Sequence, residues 1–226
     1  MTATIKLDFI SDVVCPWCII GYKRLQQAID ELGIQNQIDI DWQPFELNPD
    51  MPAEGEDLPE HISRKYGSSP EEAKGNADQI TRLGAELDFE FVFFDGMRIV
   101  NTRDVHILLA YAKDHGKQTE LKMRLFDAYF NQRKNISDRQ ILVEEIQSLG
   151  LNTDEALARL DNAVVRDQIE GEEEHWRNRG VTGVPTIVFG SIGAFVGAQS
   201  VDVYKQALTE LLSNENHKNR EPDNEQ

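Results

Sequence analysis

The stretch IKLDFISDVVCPWC, residues 5–18, decides the fold of this protein. Apolar residues alternate over residues 5–10, which is the pattern of a β-strand. After a short turn comes Cys15-Pro16-Trp17-Cys18, and apolar residues then recur at helical spacing over 19–32 and end at Gly33. Residues 38–42 alternate again. These patterns predict a β–α–β unit with the cysteine pair where the first strand hands over to the helix.

The two cysteines of the chain are three positions apart. A structural disulfide framework usually spreads its cysteines over several loops. A structural zinc site needs four ligands, but there is no second cysteine pair and the histidines are scattered, so no metal is predicted. Ile19 stands where haem attachment needs a histidine. A redox pair is favoured, and two buried apolar cysteines are the alternative.

The position of the pair assigns different roles to the two cysteines. A thiol acts as a nucleophile only as the thiolate. The start of a helix offers unpaired N–H groups and the positive end of the helix dipole, which favour the thiolate of Cys15. Pro16 falls at the first helical position, where its missing N–H costs nothing. Cys15 is therefore predicted to be the nucleophile, and Cys18, one turn later, the resolving cysteine.

Beyond the first unit the pattern changes from strands to helices and back. Residues 44–59 contain four prolines and predict an extended loop. Ser69-Pro70-Glu71-Glu72 is a capping box that opens a series of amphipathic helices. Strands return at residues 186–189 and 194–196, and Ser200 caps a last helix. We expect one α/β domain (residues 1–58 and 179–213), split by a helical domain (59–178) and followed by a disordered tail (214–226).

Composition and charge narrow the possible partners. The net charge is -17, with 23 basic and 40 acidic residues, which argues against binding nucleic acid or an anionic membrane. No apolar stretch is long enough to span a bilayer. Residues 1–10 include Lys6 and Asp8 and lack the apolar run of a secretory signal, so a cytoplasmic location is expected. The sequence leaves the oligomeric state open.

Three segments, in order, resemble one known family. They are residues 11–18 (SDVVCPWC), 42–49 (WQPFELNP) and 183–186 (GVPT). Together they are similar to the DsbA-like branch of the thioredoxin superfamily, and most of all to its FrnE-type members. The resemblance covers the chain except the tail. It implies an α/β, thioredoxin-like fold split by an all-helical inserted domain, and thiol–disulfide exchange as the activity.

The resemblance also gives roles to Val184 and Pro185. In this superfamily the matching proline follows a cis peptide bond and faces the cysteine pair. The backbone of Val184 would then face a substrate chain in the manner of an added strand. The alternative is a trans proline that merely opens a strand.

Other candidates are less specific. By the resemblance, Trp17 tunes the redox potential, or it offers apolar contact surface to substrate. Asp8 matches the buried acid beneath the redox pair of thioredoxin-like folds and would accept the Cys18 proton; the alternative is a solvent-facing strand residue. Asp12 can stabilise the turn before Cys15 and is also a candidate for the cleft between the domains.

Two more candidates come from one stretch. Asn101 and His106 resemble an Asn…His stretch of FrnE-type chains and are candidates for lining a cleft between the domains. The alternative for His106 is an ordinary helix histidine.

Three function classes compete. The first is a thiol–disulfide oxidoreductase or isomerase acting on protein or small-molecule thiols and disulfides, with no tightly bound cofactor. The second is a glutathione-dependent transferase or isomerase. Kappa-class glutathione transferases and hydroxychromene carboxylate isomerases share the split fold but resemble Ser-Pro-x-Ser at the motif, so the two cysteines favour redox exchange. Glutathione is then a possible redox partner or cosubstrate. The third class is a non-enzymatic binding module.

Overall fold

A computed structural model describes residues 4–190 and 192–218. Its main sheet has four strands in the order β2-β1-β5-β6. Strands β1 and β2 are parallel, whereas β5 runs antiparallel to both β1 and β6. The strands are β1 (Ile5–Ser11), β2 (Ile38–Pro44), β5 (Thr186–Val188) and β6 (Ala194–Val196). The strands that the alternating pattern predicts are therefore paired in one sheet.

Helix α1 (Pro16–Leu32) connects the two parallel strands. It ends at Gly33, whose φ of 66° lies in the left-handed region that suits glycine. The aromatic rings of Phe9 on β1 and Tyr22 on α1 both pack against Trp42 on β2, with ring centroids 4.6 and 4.9 Å away. These contacts hold one face of the sheet against α1. The cysteine pair follows the carboxyl end of β1 after a short turn.

The helical region lies between β2 and β5 in sequence. Its helices in chain order are α2 (Leu58–Tyr66), α3 (Pro70–Ala85), α4 (Arg103–Asp114), α5 (Gln118–Phe130), α6 (Arg139–Ser148), α7 (Thr153–Leu160) and α8 (Ala163–Asn178). Ser69 caps α3 with the predicted reciprocal capping box. The α/β thioredoxin-like fold with a large helical part is confirmed.

One detail of the prediction is wrong, because the helical region is not entirely helical. Residues Arg98–Ile99 form a short strand, β4, which pairs with β3 (Glu56–Asp57) in a separate two-stranded ribbon. Two residues are too short for an alternating pattern to be read from sequence. The ribbon joins no strand of the main sheet. The domain boundaries proposed above stay a prediction.

Helix α5 covers the edge strand β2. The side chain of Gln118 accepts a hydrogen bond from the Trp42 N–H and donates one to the Trp42 carbonyl, over 3.2 and 2.9 Å. The indole N–H of Trp42 donates to Thr119 Oγ1 over 2.9 Å. The Gln118 side chain thus satisfies the backbone hydrogen bonds of Trp42 that an edge strand would otherwise leave unpaired. The same contacts fix α5 behind the first β–α–β unit.

The last helix is longer than predicted. Helix α9 (Val201–Lys218) packs against α1 and continues past the expected start of the tail at residue 214. Once a helix is nucleated by packing, each further residue adds a backbone hydrogen bond at little cost, so polar composition does not end it. The remainder of the predicted tail lies outside the described residues.

Candidate active site

The cysteine pair occupies the first turn of α1. Cys15 is the N-cap residue with Pro16 at the first helical position, and both cysteines are free thiols. Cys15 is 4% exposed and Cys18 is fully buried. Burial, together with the neighbouring Cys15, raises the pKa of Cys18 well above its usual value. The outer thiol can therefore meet a substrate, whereas the inner thiol needs help to lose its proton.

The segment before β5 lies against the outer thiol. The Sγ atom of Cys15 is 3.6 Å from the carbonyl oxygen of Val184, to which the thiol donates. The Val184–Pro185 peptide bond is cis. Pro185 is buried, and its carbonyl accepts a 2.8 Å hydrogen bond from Gly197 N at the end of β6. The fold thus brings the two predicted motifs together although they are far apart in sequence.

Two of the cleft candidates, Asp12 and His106, lie next to each other beneath the pair. Both are buried, and His106 Nε2 is 3.6 Å from Asp12 Oδ1. Asp12 Oδ2 accepts a 2.8 Å hydrogen bond from Leu47 N. Burial alone would raise the pKa of Asp12, but the His106 imidazole and the Leu47 N–H hold it below its usual value. Asp12 is therefore an ionised anchor for the turn that carries Cys15.

The expectation that Asp8 is the buried acid for Cys18 is wrong. Because side chains alternate along β1, Asp8 points away from Phe9 and so away from α1. It is only partly buried, and its carboxylate accepts a 2.8 Å hydrogen bond from Gln43. The sequence match therefore identified a residue on the correct strand, but the side chain of Asp8 lies on the face of the sheet opposite α1.

The two remaining candidates are Asn101, which binds the loop after β2, and Trp17, which lies between the cysteines. Asn101 donates to Glu46 Oε2 and to the Pro49 carbonyl over 3.2 and 3.3 Å, and so ties the start of α4 to the loop after β2. Glu46 also forms a buried ion pair with Arg103. Trp17 is partly buried between the cysteines. Asn101 therefore supports the loop, and none of its hydrogen bonds reaches the cysteine pair.

Sequence reasoning missed Lys122, a fully buried lysine on α5. Its Nζ lies 5.3 Å from the ring centroids of both Trp42 and Phe126. The signal was present in the sequence, since Lys122 precedes Leu125, Phe126 and Tyr129 at helical spacing and so falls on the apolar stripe. A lysine on such a stripe indicates a buried charge.

Tyr66 at the end of α2 was missed as well. It is 59% exposed, which is unusual for a large aromatic side chain in this structure. Partial burial, together with the negative charge of the Cys15 thiolate, raises the pKa of Tyr66. An exposed ring within electrostatic reach of the outer thiol is a candidate contact for substrate. Nothing in the local sequence distinguishes it from a surface residue.

Among residues 4–190 and 192–218, no three His, Cys, Asp or Glu side chains cluster as a metal site. Nor does any helix in these ranges have the length and apolar character needed to cross a bilayer.

A sheet of this order, with a Cys-x-x-Cys pair opening the first helix and a proline segment facing it, defines a thioredoxin-like protein. Residues 6–209 match the family described as DSBA-like thioredoxin domain, and the chain belongs to that family. The DsbA-like resemblance seen in the sequence is thereby confirmed.

Known proteins are similar over almost the whole chain. The YwbO protein of Bacillus subtilis (strain 168), described as uncharacterized, is 26% identical over 208 residues, which cover 92% of this chain and 97% of YwbO. A crystal structure of a "probable DsbA oxidoreductase" from Streptomyces coelicolor is 27% identical, with a TM-score of 0.88 over 98% of this chain and 94% of its own. A 2-hydroxychromene-2-carboxylate isomerase shares the fold, with a TM-score of 0.67, 16% identity, and coverage of 96% of this chain and 100% of its own.

Proposed function

We propose that this protein is a thiol–disulfide oxidoreductase in which Cys15 is the nucleophile and Cys18 the resolving cysteine. The observation that carries the proposal is the position of Cys15. Cys15 is the N-cap residue of α1, at the end of the helix where backbone N–H groups are left unpaired. The same thiol lies 3.6 Å from the Val184 carbonyl, in the segment that precedes β5.

The exchange proceeds in two displacements. The Cys15 thiolate attacks one sulfur of a substrate disulfide, a mixed disulfide forms, and the other substrate sulfur leaves as a thiolate. The Cys18 thiolate then attacks Cys15 Sγ, which releases the second substrate sulfur. The substrate disulfide is reduced to two thiols and the protein dithiol is oxidised to a disulfide. Run in reverse, the same steps oxidise a dithiol.

The segment around Val184 suits an extended peptide as substrate. Val184 is partly exposed and lies just before β5, so its backbone can pair with a peptide as an added strand. Such pairing recognises the main chain of the substrate rather than its side chains, which favours unfolded or flexible protein substrates. The role of Pro185 is to hold this segment against Cys15. Trp17, which separates the cysteines in sequence, and the exposed Tyr66 provide apolar contact surface for substrate.

Small thiols belong to the same proposal. Glutathione is a redox partner that reduces or oxidises the cysteine pair from solution, with no tightly bound cofactor. A glutathione-dependent isomerase activity is the second candidate, since the isomerase above shares the fold. We place the protein in the cytoplasm, because its two cysteines are the redox pair alone and provide no disulfide framework. Thiol trapping in fractionated cells tests this location.

The test is insulin reduction by dithiothreitol, measured as turbidity, with glutathione-conjugation and isomerase assays on the same sample. We expect the wild-type protein to accelerate insulin reduction and Cys15→Ser to abolish the acceleration. Cys18→Ser should instead accumulate a mixed disulfide on Cys15, visible by mass spectrometry. Full activity of Cys15→Ser, or isomerase turnover without any disulfide exchange, would overturn the proposal.

A further inference from the structure

The structure contains a buried amine that the two-displacement scheme does not use. Lys122 is fully buried, and its Nζ has no hydrogen-bond partner among residues 4–190 and 192–218. Lysine is almost never fully buried unless its charge is paired. A buried amine that is left without a partner is therefore a candidate for function.

Lys122 shares an apolar compartment with the inner cysteine. Cys18 and Tyr22 lie one turn apart on α1, on the face that packs against β2 and α5. The Tyr22 ring is 4.9 Å from the Trp42 ring, and Lys122 Nζ is 5.3 Å from the same indole. The amine thus lies against Trp42, and Cys18 lies one helical turn from Tyr22, whose ring packs on the same indole.

We propose that Lys122 accepts the proton of Cys18 when Cys18 attacks the mixed disulfide on Cys15. The inference rests on the proposed oxidoreductase function and deepens it. In this step the neutral amine takes the S–H proton and becomes an ammonium ion, and the Cys18 sulfur becomes a thiolate. The thiolate then forms the bond to Cys15 Sγ as the substrate thiolate leaves, so atoms and charge balance.

The acid–base properties of the two groups suit this transfer. Burial lowers the pKa of Lys122 to about 8, against the opposing attraction of Cys18, Asp12 and Cys15. Burial raises the pKa of Cys18 well above its usual value. Burial thus shifts both groups towards their neutral forms: Cys18 is held as the thiol, and a fraction of Lys122 is the neutral amine near neutral pH and more of it as the pH rises towards 8. Proton transfer between them creates an ion pair at the moment when a thiolate is needed.

Asp12 is the alternative acceptor, and its contacts argue against it. Asp12 Oδ2 is already bound by Leu47 N, and its pKa lies below the usual value, so it holds a proton poorly. His106 stands beside Asp12, with its Nε2 atom 3.6 Å from Asp12 Oδ1. Lys122 is the remaining titratable group whose charge acts directly on Cys18.

A cavity beside Lys122 gives the proton a route to solvent. The cavity has a volume of about 250 Å³ and lies between β2, α4, α5, α7 and α8. That volume accommodates several water molecules. Besides Lys122, its titratable lining groups come from three elements and are His106, Lys113, Asp114, Arg159 and Glu172. Asp12, Cys15 and Cys18 are the other titratable groups around the amine, and Lys113 is held away from the step in an ion pair with the buried Asp41.

The experiment separates the two displacements with Ellman's reagent. Mixed with reduced protein at equal concentration in a stopped-flow instrument, the reagent releases one nitrothiobenzoate when Cys15 attacks and a second when Cys18 resolves. We expect Lys122→Met to leave the first phase unchanged and to slow the second by about 100-fold near neutral pH. In the wild type the second phase should rise with pH, and Lys122→Met should flatten this rise.

Two further variants test what property of Lys122 matters. Arginine keeps the charge but cannot accept a proton, so Lys122→Arg should also slow the second phase. Lys113→Met removes a cation from the same cavity and should leave both phases unchanged. An unchanged second phase in Lys122→Met, rescue by Lys122→Arg, or equal slowing in Lys113→Met would each overturn the inference.

A spectroscopic test does not depend on the stability of the Lys122 variants. With labelled lysine, NMR of the reduced protein should show Lys122 titrating with a pKa lowered to about 8, because an acceptor of the Cys18 proton must be available as the neutral amine. A Lys122 that stayed protonated up to the usual lysine pKa would overturn the inference. Absence of a second phase in the wild type would instead contradict the proposed role of Cys18, so the two failures are distinguishable.

Discussion

The Sγ atom of Cys15 lies 3.6 Å from the carbonyl oxygen of Val184, a residue 169 positions further along the chain. Cys15 stands where β1 hands over to α1, and Val184 stands just before β5. Because β1 and β5 are antiparallel neighbours in the sheet, the segment that follows β1 and the segment that precedes β5 lie at the same end of the two strands. The contact brings Cys15, the proposed nucleophile, beside a backbone segment that we propose pairs with a peptide.

The unequal surroundings of the two thiols predict unequal reactivity. Cys15 retains a 4% exposed fraction at the start of α1, whereas Cys18 is fully buried and burial raises its pKa. At mildly acidic pH we expect iodoacetamide to alkylate Cys15 at least 10-fold faster than Cys18, since alkylation needs the thiolate. Peptide mapping by mass spectrometry measures the ratio. The Cys18→Ser protein is the control and should label at the wild-type rate; preferential labelling of Cys18 would reverse the assignment.

The close approach of α1 to the Pro185 segment depends on Gly21. A Cβ atom at position 21 would lie 3.3 Å from Pro185 Cγ and 3.5 Å from Ala198 Cβ. We expect Gly21→Val to push the segment away from Cys15, to destabilise the protein by about 1–3 kcal/mol and to slow insulin reduction. Urea unfolding and turbidity measure the two effects.

A matched glycine on α3 provides the control for Gly21. A Cβ atom at Gly75 would have no neighbour within 4 Å, so Gly75→Val should leave activity unchanged and stability the same or slightly higher. Equal behaviour of the two valine variants would show that the contact with Pro185 does not matter.

The exposed ring of Tyr66 predicts a selective effect on large substrates. Truncation of an aromatic contact typically costs more than about 1 kcal/mol of binding, so Tyr66→Ala should raise the KM for insulin about five-fold. Exchange with Ellman's reagent, which is too small to need this surface, should be unchanged. Val164, which is 63% exposed on α8, is a matched apolar position for Val164→Ala. If both variants changed KM equally, Tyr66 would have no specific role.

Glu173 on α8 predicts a pH-dependent stability. Burial and the neighbouring Glu46 carboxylate raise the pKa of Glu173 to about 8. An unfolded glutamate titrates near about 4.3, so the stabilisation from the protonated side chain is full below that pH and lost as the pH rises towards 8. Glu173→Gln removes this loss. Its Tm should exceed that of the wild type by about 2–4 °C at pH 8 and by much less at pH 4.

The test for Glu173 is a series of thermal melts across this pH range. Glu174→Gln, at the neighbouring exposed position, is the control and should follow the wild type throughout. A Tm difference for Glu173→Gln that shrank as the pH rose would contradict the raised pKa.

The helical region shows where sequence patterns were sufficient and where they failed. The capping box at Ser69 was readable because both of its hydrogen bonds join residues three positions apart. The strand Arg98–Ile99 was not, because its partner Glu56–Asp57 is more than forty positions away and its two residues carry no pattern. The extension of α9 to Lys218 was also missed, since propagation from a packed helix does not require apolar residues.

The sequence by itself determined the β–α–β unit, the cysteine pair at the start of α1 and the family. These features depend on neighbours within one turn or one strand, and the chain specifies them locally. Only the tertiary structure decided that Asp8 faces away from α1, that Asp12 lies beside His106, and that Lys122 is buried near Cys18. Such relationships depend on which face of a sheet a helix covers, and that is set by packing between segments far apart in sequence.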